Sequence, residues 1–303
     1  MKHIAIFLMP ICAVLMLSGC AGTSSDLTAG GPVMTSENLP EPVAYRVYTP
    51  PGWDGSEPLP LLIYLHDRGG HCTDLETSGI IPVLFSAFQA GTLPPCIVAA
   101  PESHGGYWWN YFDGSRRYGD FLMDEFIPAL RSRYPVRPGP RGLHVLGVGT
   151  GAMGAVELAY LYPGRIGTVA ALDGYYFDDL GASVYVDKHF FSGLEKILGP
   201  SDDPRAMAAH SVYYRITSAQ SVAPTRFVLG CGAFSDWDVT ETNELFRQHL
   251  ALHSIPHDTV MFHGTSRREG RLAILPVFIS QQLGDRRTRG EINGEPYEIL
   301  KFR

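Results

Sequence analysis

The sequence has no block of basic residues, and cysteine is scarce. Lys and Arg number 24 among 303 residues, against 31 Asp and Glu, which gives a formal net charge of −7. The absence of a basic block argues against a nucleic-acid partner. The chain is 45% hydrophobic and 18% charged, a composition typical of a globular protein that buries a sizeable core.

The hydrophobic run at the N-terminus is too short for a stable membrane span. It extends from Ile4 to Leu17, follows Lys2, and ends in Leu17-Ser18-Gly19-Cys20. This layout is typical of a secretory signal peptide, predicted over residues 1–19. The ending also resembles a bacterial lipobox, in which Cys20 is acylated. The alternative is an ordinary signal peptide with a chance cysteine.

Lipidation of Cys20 predicts a bacterial cell envelope lipoprotein whose partner is the membrane. Ala21 after the cysteine favours the outer membrane, with the protein facing the periplasm. Residues 20–40 are rich in Gly, Ser, Thr and Pro and predict a flexible tether.

Three cysteines remain in the mature domain, and an oxidising compartment allows them at most one internal disulfide. Their spacing does not decide which pair would form, and it does not resemble a metal site. Buried structural thiols are the simpler interpretation. The three residues are Cys72, Cys96 and Cys231.

Apolar segments alternate with amphipathic segments along most of the chain. This alternation predicts an α/β fold with a mostly parallel central sheet and helices on both faces. The predicted strands are 43–48, 61–65, 96–100, 143–147, 166–172, 226–229 and 258–262, and the predicted helices are 78–90, 117–133, 151–162, 240–253 and 268–283. The domain is expected over 41–283, with a cap insertion at about 174–224 and a charged C-terminal tail over 284–303.

The segment Gly147-Val148-Gly149-Thr150-Gly151 lies between a predicted strand and a predicted helix. A nucleophile elbow has the same strand–turn–helix context and the pattern G-x-S-x-G. Here glycine occupies the serine position. Glycine tolerates the strained turn, but it has no oxygen that could attack a substrate.

Five motifs occur in the order found in the esterase family of α/β-hydrolases. They are Tyr45–Trp53, Leu62–Gly70, Tyr118–Pro128, Tyr134–Val136 and Ala159–Ile166. Over about residues 45–283 the chain resembles this family, which includes S-formylglutathione hydrolase, feruloyl and enterobactin esterases, and the antigen 85 mycolyltransferases. The resemblance implies an α/β-hydrolase fold and carboxylic-ester chemistry, without a cofactor or metal.

The resemblance also implies positions for the catalytic groups. The nucleophile aligns with Gly149, and the Thr150 N–H would help to form the oxyanion hole. Asp236 is the candidate acid, with Asp238 as the alternative, although both could be ordinary capping residues. The expected histidine position holds Ser266, and His263 lies three residues earlier, where it could be a structural residue. The oxyanion loop is His66-Asp67-Arg68-Gly69.

Other residues near the same strand ends are candidates for lining a crevice. They are Ser103, His104, Trp108, Trp109 and Tyr175. The aromatic residues could form a carbohydrate or acyl-ligand platform, or equally a core beneath a long loop. His66, Asp67, His71 and Asp74 could suggest a metal site, but the oxyanion-loop interpretation explains them, so no metal is expected.

Two functional hypotheses follow. The first is a lipid-anchored esterase-family protein without ordinary Ser-His-Asp catalysis, a pseudoenzyme whose crevice binds an envelope lipid, glycan or protein. The second is an active ester hydrolase or acyltransferase with a rearranged site. In that case Thr150, or a cap serine such as Ser183 or Ser192, would attack with His263 as base.

Overall fold

A ten-stranded β-sheet runs through the part of the chain that the computed structural model describes, residues 31–91, 93–176, 194–200, 203–233, 237–262, 290–292 and 295–300. The strands are β1 Val33–Met34, β2 Val43–Tyr48, β3 Leu61–Leu65, β4 Ile97–Pro101, β5 Leu143–Val148, β6 Thr168–Leu172, β7 Arg226–Gly232, β8 His257–Phe262, β9 Gly290–Ile292 and β10 Glu295–Leu300. Their order in the sheet is β1-β2-β4-β3-β5-β6-β7-β8-β10-β9.

The six inner strands, from β4 to β8 in this order, are parallel, and the strands at both edges are antiparallel. Strands β3 to β6 are buried at every position, which explains why they occur in the sequence as continuous apolar runs. The predicted α/β architecture with a mostly parallel central sheet is therefore confirmed.

Helices connect the parallel strands and cover the sheet. They are α1 Asp74–Thr77, α2 Ile80–Gln89, α3 Tyr118–Asp120, α4 Ile127–Arg133, α5 Thr150–Leu161, α6 Leu194–Leu198, α7 Pro204–His210, α8 Val212–Arg215 and α9 Trp237–Leu252. A π-helical segment, Phe121–Phe126, joins α3 to α4. Helices α6 to α8 are the described part of the insertion between β6 and β7.

Successive side chains of a strand point to opposite faces of the sheet and supply two separate hydrophobic cores. On β3, Leu61, Ile63 and Leu65 belong to the larger core, which also contains Trp108. Leu62 and Tyr64 belong to the core on the opposite face.

Helix α5 lies unusually close to the sheet because its first turn lacks bulky side chains. A Cβ atom on Gly147 would lie 2.0 Å from the carbonyl oxygen of Gly151. A Cβ atom on Gly151 would lie 2.0 Å from the carbonyl oxygen of Leu65. This close contact brings the first residue of α5 beside the loop that follows β3.

The boundaries of the domain differ from the sequence-based expectation at both ends. Val33–Met34, within the predicted tether, pairs with β2, and Leu39 is buried. Within the predicted tail, β10 pairs with β8 and with β9. Short edge strands in polar segments lack the apolar pattern that reveals a buried strand, so composition assigns such segments to linkers.

None of the helices in the described part of the chain is both long and apolar enough to span a membrane. The predicted lipidation site, Cys20, lies outside the described residues.

Candidate functional site

The elbow forms without a side chain at its apex. Gly149 has φ 57° and ψ −118°, a strained backbone conformation that L-amino acids with side chains rarely adopt. Its N–H donates a hydrogen bond to the Leu172 carbonyl oxygen at 2.9 Å. Helix α5 begins at the next residue, Thr150. The backbone therefore makes the sharp strand-to-helix turn of a nucleophile elbow at the carboxyl end of β5.

The carboxylate of Asp67 occupies the space where a nucleophile's side chain would begin. A Cβ atom on Gly149 would lie 2.3 Å from Asp67 Oδ1 and 2.4 Å from Asp67 Cγ. These distances are far shorter than any van der Waals contact. A serine at residue 149 and the observed position of Asp67 therefore exclude each other.

The same carboxylate accepts hydrogen bonds from the two N–H groups that would form an oxyanion hole. Asp67 Oδ1 lies 2.8 Å from Arg68 N and 3.0 Å from Thr150 N. The Thr150 hydroxyl also donates to this oxygen, at 3.3 Å. In hydrolases of this fold, the residue after the nucleophile and the loop after the third strand supply these donors. Here both donors bind a negative charge that belongs to the protein itself.

His66 fixes the loop that carries Asp67. Its ring is fully buried, with Nδ1 2.7 Å from the Asp67 carbonyl oxygen and Nε2 3.2 Å from both Ser103 N and Glu102 Oε1. Trp108 Nε1 donates to the His66 carbonyl oxygen at 2.9 Å. His66 therefore has a positioning role and does not reach the elbow apex as a base.

Glu102 is held ionised beside His66. Burial by itself would raise the pKa of Glu102. The hydrogen bond and charge of His66 and the N–H groups of Cys72 and His104 outweigh that effect, and the pKa falls from 4.5 to about 2. An acid whose pKa is lowered on folding stabilises the folded state at pH values above its unfolded pKa.

Glu102→Gln is therefore expected to lower the free energy of unfolding near pH 7 by about 1–2 kcal/mol, allowing for solvent screening. The deficit should shrink as the pH falls from 4.5 towards 2, because the wild-type carboxylate then loses its advantage. Urea unfolding across this pH range measures the difference. Glu57→Gln, at an exposed position, is the matched control and should show no such trend. A deficit that does not change with pH would contradict the assignment.

The other crevice candidates divide into buried and exposed residues. Trp108 is fully buried, so it supports the loop and the core rather than lining a surface. Ser103 is also fully buried, whereas His104 is exposed and its Nε2 lies 3.0 Å from the Pro42 carbonyl oxygen. Ser103 and His104 therefore do not form a nucleophile–base pair.

Trp109 and Tyr175 line a small pocket beside α5. The pocket is lined by Trp109, Met153, Tyr160, Tyr175, Tyr176, His210 and Val212. The ring of His210 stacks on Trp109 at a centroid distance of 5.2 Å. Trp109 and Tyr175 thus line the same pocket, whereas the side chain of Trp108 lies in the hydrophobic core.

Comparison with known proteins assigns the fold. The family model of esterases, described as "Putative esterase", matches residues 36–269. The chain belongs to this esterase family. A comparison of this chain with curated protein sequences finds no match.

Solved structures show the same fold at low sequence identity. A ferulic acid esterase is 17% identical with a TM-score of 0.69, and 83% of this chain and 96% of that chain are covered. FphF, a fluorophosphonate-binding serine hydrolase of Staphylococcus aureus, is 15% identical with a TM-score of 0.69 and coverage of 84% and 97%. MPT51 (FbpC1) of Mycobacterium tuberculosis is 19% identical with a TM-score of 0.61 and coverage of 83% and 95%.

Several predicted site residues of this esterase-family chain lie outside the described residues. These are Asp236, His263, Ser266, Ser183 and Ser192. The side chain of Asp238, the alternative acid, also lies outside the described residues.

The three mature cysteines are buried, and none of them forms a disulfide with another described residue. Burial raises the pKa of Cys72 to about 11 and that of Cys96 to about 12, so both thiols are poor nucleophiles. His71 is exposed and lies 3.5 Å from Glu102 rather than within a ligand cluster. Across the described ranges, no group of three or more His, Cys, Asp or Glu side chains could hold a metal ion.

Two features of the site were not assigned from the sequence. In the resemblance to the esterase family, His66–Gly70 aligns with an oxyanion loop of pattern H-G-x-x-G, and Asp67 stands at its first glycine. This departure from the family pattern was the available signal. The second feature is the pairing of Glu157 with His210: His210 lines the pocket, and its Nδ1 lies 3.1 Å from Oε2 of the buried Glu157. No sequence motif connects these two residues, which are 53 positions apart.

Proposed function

We propose that this protein is a lipid-anchored, non-catalytic member of the esterase family that acts as a binding protein in the bacterial cell envelope. The observation that carries the proposal is the Asp67 carboxylate. It lies where the nucleophile would be and bonds to both oxyanion-hole donors, Arg68 N and Thr150 N.

Acyl transfer by this fold needs an oxygen nucleophile and free donors for the developing oxyanion. Gly149 removes the first requirement. Asp67 removes the second, because its negative charge occupies the place where the negative charge of the transition state would form. Loss of the nucleophile alone costs roughly 10⁶ in turnover in a serine protease, and loss of one oxyanion donor costs about 10²–10³. The two changes act on the same step, which supports a role other than ester hydrolysis.

The alternative function is ester hydrolysis or acyl transfer by a rearranged site. Thr150 is the described candidate nucleophile, but its hydroxyl donates to the Asp67 carboxylate. None of the described histidines is hydrogen-bonded to that hydroxyl. An attack by Thr150 would therefore require Asp67 to serve as the base while it still blocks the oxyanion donors, which disfavours this alternative.

Anchoring in the membrane is the second part of the proposal. Leu17-Ser18-Gly19-Cys20 supports acylation of Cys20, and Ala21 supports sorting to the outer membrane with the domain in the periplasm. In that position the crevice at the carboxyl ends of the parallel strands would face envelope lipids, glycans or proteins. A binding role needs the fold and the crevice, and it does not need a nucleophile.

Labelling with a fluorophosphonate tests the proposal, because this probe reacts with activated serine or threonine hydroxyls whatever the natural substrate. The purified full chain should show no adduct by intact mass and peptide mapping. FphF of Staphylococcus aureus, whose name states that it binds fluorophosphonates, is the positive control. A specific adduct on Thr150 or on a cap serine would overturn the proposal and establish the alternative.

A further inference from the structure

Five exposed arginines lie at the end of the sheet where the parallel strands begin, which is opposite to the elbow. The first two lie in the last turn of α4, and the other three lie in the segments that lead into β5 and β6. The segment before β5 is bonded to the chain just before β3, because Arg137 N donates to the Leu59 carbonyl oxygen at 2.8 Å. We call this set the arginine face, and its members are Arg131, Arg133, Arg137, Arg141 and Arg165.

Most of the positive charge of the arginine face has no carboxylate partner. Asp124 forms an ion pair with Arg165 at 2.8 Å, whereas the other four arginines form no ion pair with a described carboxylate. Residues 126–156 contain neither Asp nor Glu. Burial and the charge of Arg165 lower the pKa of Arg131, so these two cations are close enough to repel each other.

Two exposed carboxylates at the same end of the sheet reduce this charge without cancelling it. Asp54 and Glu57 lie in the loop before β3, where a Cβ atom on Gly55 would lie 3.8 Å from Pro135 Cγ. Together with Asp124 they oppose five arginines, whereas the whole chain has a formal net charge of −7. A cationic face on an acidic protein indicates an anionic partner at that face.

The N-terminal segment reaches the sheet from the same side. Strand β1 is antiparallel to β2, and β2 is antiparallel to β4, so β1 runs in the direction of the parallel strands. The chain therefore enters β1 from the side of the arginine face. Gly31, the first described residue, follows the predicted lipidation site Cys20 by 11 positions, which span at most about 40 Å. A membrane that holds an acylated Cys20 is therefore within reach of the arginine face.

We propose that the arginine face docks on the anionic phospholipid headgroups of the membrane in which Cys20 is anchored. Guanidinium groups bind phosphate oxygens through paired hydrogen bonds, and an acyl anchor combined with a basic patch gives stable attachment. The inference rests on the proposed anchoring and adds the orientation of the domain. With the arginine face on the membrane, the elbow and the carboxyl ends of the parallel strands face away from it. The crevice then meets periplasmic glycans or proteins rather than lipids of the anchoring membrane.

Arginine modification by phenylglyoxal tests the docking, with the full chain on vesicles of phosphatidylcholine alone or with about one-third phosphatidylglycerol. Peptide mapping gives the initial reaction rate of each arginine. On the anionic vesicles, Arg131, Arg133, Arg137 and Arg141 should react at least about fivefold more slowly than on the neutral vesicles. About 0.5 M sodium chloride should remove this protection by screening. Arg205, exposed in the insertion after β6, is the internal control and should react equally on both.

Charge-removing variants locate the docking surface. Each arginine lost from the face should weaken docking about fivefold, so the double variant Arg137→Gln/Arg141→Gln should lose most of the protection of Arg131 and Arg133. Arg205→Gln is the matched control and should keep it. Equal rates on the two kinds of vesicle, or equal protection of Arg205, would overturn the inference. Protection on neutral vesicles as well would also overturn it, because the lipid charge would then have no role.

The intact mass of the purified chain separates the docking from the proposed anchoring. An acylated chain whose arginine face is not protected refutes the docking alone. A chain without an acyl group refutes the anchoring, and protection of its arginine face by added anionic vesicles would still support the docking surface. Fluorophosphonate labelling tests the non-catalytic function independently of both results.

Discussion

Gly149→Ser is expected to destabilise the protein by about 4 kcal/mol. Two effects contribute to this loss. A side chain at φ 57° and ψ −118° strains the backbone by about 1–3 kcal/mol. In addition, the new Cβ atom would lie 2.3 Å from Asp67 Oδ1 and would displace this carboxylate, and the loss of its hydrogen bonds from Arg68 N and Thr150 N costs about 1–3 kcal/mol. Urea unfolding of the two proteins measures the total.

Two further variants separate the strain from the collision. Gly52→Ser places a serine at φ 78° with nothing within 4 Å of its Cβ atom, so it should lose only the strain contribution. Asp67→Gly removes the carboxylate. In a double-mutant cycle, Asp67→Gly and Gly149→Ser should be non-additive by about 1–3 kcal/mol, because the second substitution no longer meets an obstacle. Additive effects would show that Asp67 and Gly149 do not depend on each other.

This coupling gives a physical account of two departures from the family pattern, Asp67 and Gly149. Asp67 and Gly149 lie 82 positions apart in the sequence, where they look like two unrelated losses. In the fold the two positions are adjacent. The Asp67 carboxylate, from the loop after β3, occupies the space of the side chain that is missing at the elbow. The carboxylate also accepts a hydrogen bond from the Thr150 N–H, which has no acceptor within helix α5. Such an interaction stabilises a helix N-terminus.

The sequence predicted the central sheet closely because buried parallel strands are continuous apolar runs. Strands β2 and β3 begin and end where the pattern predicts, and β5 is one residue longer. The elbow was predictable too, because its glycine-rich segment lies between a predicted strand and a predicted helix within the series of family motifs. The edge strands β1, β9 and β10 were not, because short strands in polar segments have no hydrophobic periodicity.

The direction of loop side chains could not be predicted. Trp108 and Trp109 are neighbours in one aromatic run, yet Trp108 enters the core beneath the elbow and Trp109 lines the pocket. The positive φ of Trp108, 64°, turns the chain between them. Loop segments have no fixed period, so sequence alone does not reveal which of two neighbouring rings is buried. The pairing of Glu157 with His210 likewise depends on how the insertion packs against α5.

Gly151→Ala is expected to be strongly destabilising. The added Cβ atom would lie 2.0 Å from the Leu65 carbonyl oxygen and 2.8 Å from that of His66. Both neighbours are backbone atoms, one at the end of β3 and one in the loop that carries Asp67, so neither can rotate away as a flexible side chain could. Helix α5 or the loop must move instead. We expect a loss of about 4 kcal/mol or more in the free energy of unfolding, measured by urea unfolding followed by circular dichroism.

Gly69→Ala is the matched control within the same loop region. Its Cβ atom would have nothing within 4 Å, and its φ lies outside the strained positive range, so the free energy of unfolding should change by no more than about 0.5 kcal/mol. Wild-type stability in Gly151→Ala would refute the close contact between α5 and β3. That contact brings Thr150 N within hydrogen-bond distance of Asp67, so the occupied oxyanion site depends on it. Gly151 therefore lets α5 approach the loop after β3, and Asp67 Oδ1 accepts a hydrogen bond from Thr150 N at that contact.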